Sequence, residues 1–178
     1  MNGRSPAPPW WDDALFDTCS LITVDKVLAI EPVLAAHFSR QRCLEANLSG
    51  DQLRPDAAAR VRQRATLVEL PPLTELARHL GSPHQPSSCS RVDRLVYASS
   101  RHYCIPVVTA DRQLALALAR EGLLAGNITC ALRDLVLARY LSETRVVELL
   151  RALVAAREHL LPDSASPIWE ALRTYSFP

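Results

Sequence analysis

Lys26 is the only lysine in this chain; the rest of its 20 basic residues are arginine. A lysine-rich, freely solvated basic surface is therefore excluded, and any basic contact must be made by guanidinium groups, which fork onto phosphate better than ammonium does. Long apolar runs are also missing: nothing approaches the ~20 residues of a membrane span. The opening stretch MNGRSPAPPWWDD contains no apolar segment of the signal-peptide kind, so no signal peptide is expected. Cys19, Cys43, Cys89, Cys104 and Cys130 are odd in number and never spaced C-x-x-C. That argues against a zinc ribbon or a disulfide framework, and favours small core residues in a reducing, cytoplasmic setting. The formal net charge is only +1, so bulk electrostatics neither demand nor exclude a nucleic acid. No internal repeat stands out.

What is present is enough apolar material for one core: 48% of 178 residues. Residues 1–13 are expected to be a loose, proline-rich tail, followed by a domain over 14–131 and a helical extension over 132–178 packed on it. DALF, RCLEA, TLVELPP, CIPVVT and NITCAL are the expected strands. Ile105, Val107 and Val108 suit burial on both faces. DKVLAIEPVLAAHF reads as helix interrupted at Pro32, and SGDQL as a helix start with Ser49 as cap and Gln52 at capping-box spacing. LTELARHL is a short helix closed by Gly81, and GSPHQPSSCS is the clearest loop. Helices are also expected in SRVDRLVYASSRH, DRQLALALAREG, RDLVLARYL, ETRVVELLRALVAAREHL and SPIWEALRTY. Strands alternating with helices predict a three-layer α/β domain with a mainly parallel sheet.

In such sheets functional groups gather at the carboxyl ends of the strands. Asp17 interrupts the apolar stretch LFDTCSLI at the end of the first strand; Asp111 follows CIPVVT; Asp93 heads the helix leading into that strand. Asp93 also completes a capping-box pattern from Ser90, and Asp111 suits a helix N-cap. Asp17 is the hardest to explain by structure alone, because its neighbours offer no exposed face. Converging carboxylates repel and raise one another's pKa, and a divalent cation reverses that penalty. Oxygen ligands favour Mg²⁺ or Mn²⁺ over Zn²⁺.

LFDTCSLI resembles the opening D-T/S-x-x-L-I of PIN-domain ribonucleases. VDRLVYASSRHYCIPVVTADRQLALAL resembles their second half, an Asp-headed helix, a hydrophobic strand, T-x-D and a further helix, and TLVELPPLTELARHL is similar to the strand and helix that precede it. The resemblance spans roughly residues 14–131 and implies a five-stranded, mostly parallel sheet whose acidic cluster binds Mg²⁺ or Mn²⁺ and hydrolyses RNA phosphodiesters. By motif match Asp17, Asp93 and Asp111 take the first, third and fourth acidic positions. Thr109 matches the hydroxyl residue that orients the site, and Thr18 a small polar neighbour. The family's second acid is a glutamate; here its spacing falls on Asp51, with Glu45 as the rival. The implied catalytic set is thus Asp17, Asp51, Asp93 and Asp111, with Asp17, Asp93 and Asp111 on the metal. Arg91, Arg94 and Arg112, adjacent to the acids, are expected to contact RNA. The long C-terminal extension departs from the small toxin-type members, and a homodimer or an antitoxin partner is a family habit.

Two other classes compete. One is a PIN-fold module that binds RNA or protein without cleaving. The other is an α/β enzyme such as a phosphatase, which needs D-x-D after the first strand; Asp17 is followed by Thr18 and Cys19. A cysteine nucleophile at Cys19 has no positioned histidine in the sequence.

Overall fold

The computed structural model describes residues 9–49 and 53–156. Among these lie five short strands and eight α-helices, with strand order β3-β2-β1-β4-β5 and every pairing parallel. The strands are β1 (Leu15–Phe16), β2 (Arg42–Cys43), β3 (Thr66–Leu67), β4 (Val107–Val108) and β5 (Ala125–Gly126). The helices are α1 (Thr18–Ile30), α2 (Glu45–Leu48), α3 (Pro55–Arg64), α4 (Leu73–Leu80), α5 (Arg91–Tyr103), α6 (Arg112–Arg120), α7 (Ile128–Leu137) and α8 (Glu143–Ala155), with a 3₁₀ segment over Pro32–Phe38. The chain is thus an α/β fold with a parallel sheet flanked by helices.

Pleating divides the core. Phe16, Cys43 and Val108 face one side, among Leu21, Val24, Leu132, Leu149 and Leu153. Leu15, Leu44 and Val107 face the other, among Val96, Tyr97, Leu114 and Leu118. Leu15, Phe16, Val107 and Val108 are all fully buried, as central strands covered on both faces should be. Helix α4 lies outside, packed on α5. Among the described residues no helix is long and apolar enough to cross a membrane.

Several expected elements shift. NITCAL is not a strand: Asn127 Oδ1 accepts from the Cys130 N–H at 3.0 Å and caps α7, so the fifth strand ends one residue earlier, at Gly126. RCLEA is a strand only at Arg42–Cys43, because Glu45 already begins α2. Ser49 ends a helix and does not start one; its hydroxyl donates back to the Glu45 carbonyl at 2.9 Å. Helix α3 instead begins at Pro55, whose missing N–H is no loss in a first turn. Gln52 and SPIWEALRTY lie outside the described residues.

The domain limits move as well. The end of the expected tail is docked: Trp11 is buried, and Trp10 Nε1 donates to Asp134 at 3.0 Å. Residues 1–8 lie outside the described part. Trp10 lies over Gly126, where an added Cβ would stand 2.5 Å from its ring. Gly126→Ala is therefore expected to lower stability by about 1–3 kcal/mol through overpacking. Denaturant unfolding checks this, and an unchanged midpoint would show that Trp10 does not seat there. At the other limit α7 runs through the expected boundary at 131, and α8 contributes Val146, Leu149, Leu150 and Leu153 to the same core. Residues 132–155 are therefore part of the domain itself; residues 157–178 are not described.

Candidate active site

The order 3-2-1-4-5 reverses direction between β1 and β4. At such a switch point the connections leave toward opposite faces and open a crevice beyond the carboxyl ends of the two strands. Asp17 directly follows β1, and Thr109 and Asp111 follow β4, so register alone brings them to this edge. The Asp17 N–H donates to the Val108 carbonyl at 3.1 Å, the last rung of the β1–β4 ladder.

Asp17 is 2% exposed. Its Oδ1 accepts from the Ser20 N–H at 2.7 Å, capping α1, and its Oδ2 accepts from the Thr109 hydroxyl. The same Thr109 oxygen accepts from the Asp111 N–H at 2.9 Å. One buried hydroxyl therefore ties the two strand-end loops together. Burial raises the Asp17 carboxyl above its ordinary range; the Thr109 and Ser20 hydrogen bonds oppose this, and the nearby charge of Asp93 adds to it.

Asp111 caps α6, its Oδ1 accepting from the Gln113 and Leu114 N–H groups at 2.7 and 3.1 Å. Its Oδ2 accepts from the Cys89 thiol at 3.3 Å. Burial, and then Asp111 and Asp93, push that thiol up to about 12, so Cys89 is a donor here and not a nucleophile. Asp93 closes the capping box of α5: its Oδ2 accepts from the Ser90 hydroxyl at 2.6 Å and the Ser90 N–H at 3.2 Å. All three carboxylates thus cap helices, and each keeps further lone pairs, since an ionised carboxylate offers about four.

Most other acids among the described residues, Glu69 and Glu143 apart, have a cationic partner and these three do not. Asp12, Asp13, Asp25, Glu31, Glu45, Glu75 and Glu121 each lie within ion-pair distance of an arginine. Among the described residues, no arginine or lysine pairs with Asp17, Asp93 or Asp111. Arg91, Arg94 and Arg112 lie in the first turns of α5 and α6 beside these acids, and among the described residues they too are in no ion pair. Arg94 Nε is buried without a hydrogen-bond partner.

On the β2 side, Asp51 lies outside the described residues. Glu45 is exposed and paired with Arg62 at 2.5 Å. The polar group turned inward is one the sequence reading missed: Asn47 is fully buried, accepts from the Leu44 N–H at 2.9 Å and donates to Thr18 Oγ1 at 3.2 Å. It ties the end of β2 to the start of α1. An asparagine in a helical stretch carries no signal of this.

The three aspartates do not close on one point. Among the described residues, the ligand atoms that all lie within 4.8 Å of one another belong to Glu75, His79 and His102, elsewhere in the fold. No protein-family model, curated protein or solved structure matches this chain.

Proposed function

We propose that this chain is a PIN-like phosphodiesterase that hydrolyses RNA with Mg²⁺ or Mn²⁺. The observation that carries this reading is Asp17, a carboxylate buried at the switch point, in the field of Asp93, with hydroxyl and amide donors but, among the described residues, no cationic partner. The donor set is all oxygen, which suits a hard cation. Mg²⁺ keeps several waters and takes one or two carboxylates directly, so the others would act through its waters. Asp17, Asp93 and Asp111 would hold the ion, which when bound polarises the scissile phosphate and lowers the pKa of a water.

The chain's own residues supply the rest. Thr109 holds Asp17 and Asp111 in fixed relation, and the Cys89 thiol orients the Asp111 Oδ2 lone pairs. Arg91, Arg94 and Arg112, which pair with no carboxylate among the described residues, bind phosphates of the strand. A carboxylate of the cluster orients the attacking water and accepts its proton.

A second reading, a PIN-like module that binds RNA or a protein without cleaving, is favoured by the capping role of all three acids. A fluorophore–quencher single-stranded RNA incubated with the full chain separates the two. Cleavage that needs Mn²⁺ or Mg²⁺ and stops with chelator is expected. RNA retained on a filter but never cut would favour the binding module, and neither binding nor cleavage would overturn both.

A further inference from the structure

Helix α4 is weakly anchored: His79 is its only buried residue. Glu75 and His79 lie one turn apart on its inner side, and His102 comes to them from the last turn of α5. Glu75 Oε2 stands 3.8 Å from His79 Nε2 and 3.9 Å from His102 Nδ1. Around a tetrahedral ion with ligands at about 2.0–2.2 Å, ligand atoms stand about 3.3–3.6 Å apart. Both Glu75 distances are within a few tenths of an ångström of that, and all three ligand atoms lie within 4.8 Å of one another. His79 is 4% exposed, and its Nδ1 is buried with no hydrogen-bond partner. The ring nitrogen that faces Glu75 is Nε2, so a cation would be ligated there, with Nδ1 on the far side of the ring. Burial, with Arg101 and Arg78 nearby, holds the imidazole below its ordinary range.

We propose that Glu75, His79 and His102 form a metal site that clasps α4 to α5. Two imidazoles and one carboxylate make a borderline donor set, suited to Zn²⁺ or Co²⁺ and unlike the all-oxygen set at the sheet edge. The competing group is Arg78, whose Nε donates to Glu75 at 3.0 Å and whose Nη2 lies 3.4 Å from His79 Nε2. Its side chain is 67% exposed, so a cation displaces it into solvent at little cost. His102 and Asp93 sit at opposite ends of α5, nine residues or about 13 Å apart along the axis. The clasp therefore stands apart from the proposed catalytic acids and does not depend on them.

The test uses the full chain, stripped with chelator and then titrated with Co²⁺ or Zn²⁺ alone. One equivalent of Co²⁺ should give the visible absorption of a tetrahedral site, and Zn²⁺ should raise the melting temperature by several degrees. His102→Gln and Glu75→Gln, both only partly buried, should fold and lose affinity about 10-fold or more, while Asp17→Asn leaves the Co²⁺ spectrum unchanged. No spectrum or Zn²⁺ shift in the wild type overturns the proposal, as does binding that is the same in both variants.

Discussion

Asp17→Asn is expected to lower divalent-dependent RNA cleavage by about 10²-fold or more and, in the same protein without metal, to raise the melting temperature. The two effects have one cause. Burial lifts the Asp17 carboxyl above its ordinary value of 3.8, so the folded chain holds that proton more tightly than the unfolded chain does. Below the unfolded value both states are protonated, and the stability from this group is fully present. As pH rises through the raised folded value, the fold must ionise a buried group with no cation beside it, and that stability is lost. Asparagine keeps the acceptor for the Ser20 N–H and escapes the loss. The variant and the wild type should therefore melt together at low pH and diverge as pH rises from the ordinary carboxylate range through the raised value. A gain of 1 kcal/mol corresponds to about 2–4 °C for a chain of this size. Added Mn²⁺ should close the gap by stabilising the wild type alone. Melting curves across pH, with chelator and with Mn²⁺, check all of this. A large fall in melting temperature for the variant at neutral pH would mean that the ionised carboxylate is a structural hydrogen-bond acceptor, and the metal reading of Asp17 would fail.

Truncation after Leu141 is expected to unfold the protein. Helix α8 buries Val146, Leu149, Leu150 and Leu153, each 2% exposed or less, against the face of the sheet that α1 and α7 cover. At about 1.5–3 kcal/mol per fully buried aliphatic side chain, the loss is on the order of 6–12 kcal/mol. That matches the whole stability of an ordinary domain, about 5–15 kcal/mol. Insoluble expression, or a soluble product without a cooperative transition, is the expected result. Leu149→Ala offers a milder check, with an expected cost of about 2–5 kcal/mol from the cavity it leaves. A truncated chain that stays monomeric and melts like the intact one would show that α8 is an appended arm.

The sequence by itself determined the alternation of strands and helices, and with it the parallel sheet. Its turn and cap chemistry is local: Ser90 with Asp93, and Asp111, cap helices as their spacing announced. The capping of α1 by Asp17, which starts that helix at Thr18 and not at Asp25, and of α8 by Ser142 were not anticipated. The same locality placed Asp17 and Asp111 at strand ends, since strand direction and a short apolar run suffice for that. It misled at NITCAL, where β-branched and apolar residues favoured a strand until the Asn127 side chain engaged the backbone and turned the segment into helix. Only the tertiary structure decided which groups meet. The Thr109 hydroxyl reaches Asp17 across 92 residues, and Cys89 reaches Asp111 across 22. Asn47 turns inward to Thr18 while Glu45, two residues before it, pairs with Arg62 at the surface. The Glu75 and His79 spacing on one helix was visible in LTELARHL, but His102 joins them only because α5 packs against α4. Local propensity and capping are set within a few residues, whereas a charge's partner depends on which distant segments the core brings together. That is why the aspartates without a cationic partner, and the histidine ring nitrogen without a hydrogen bond, could be recognised only in the folded chain.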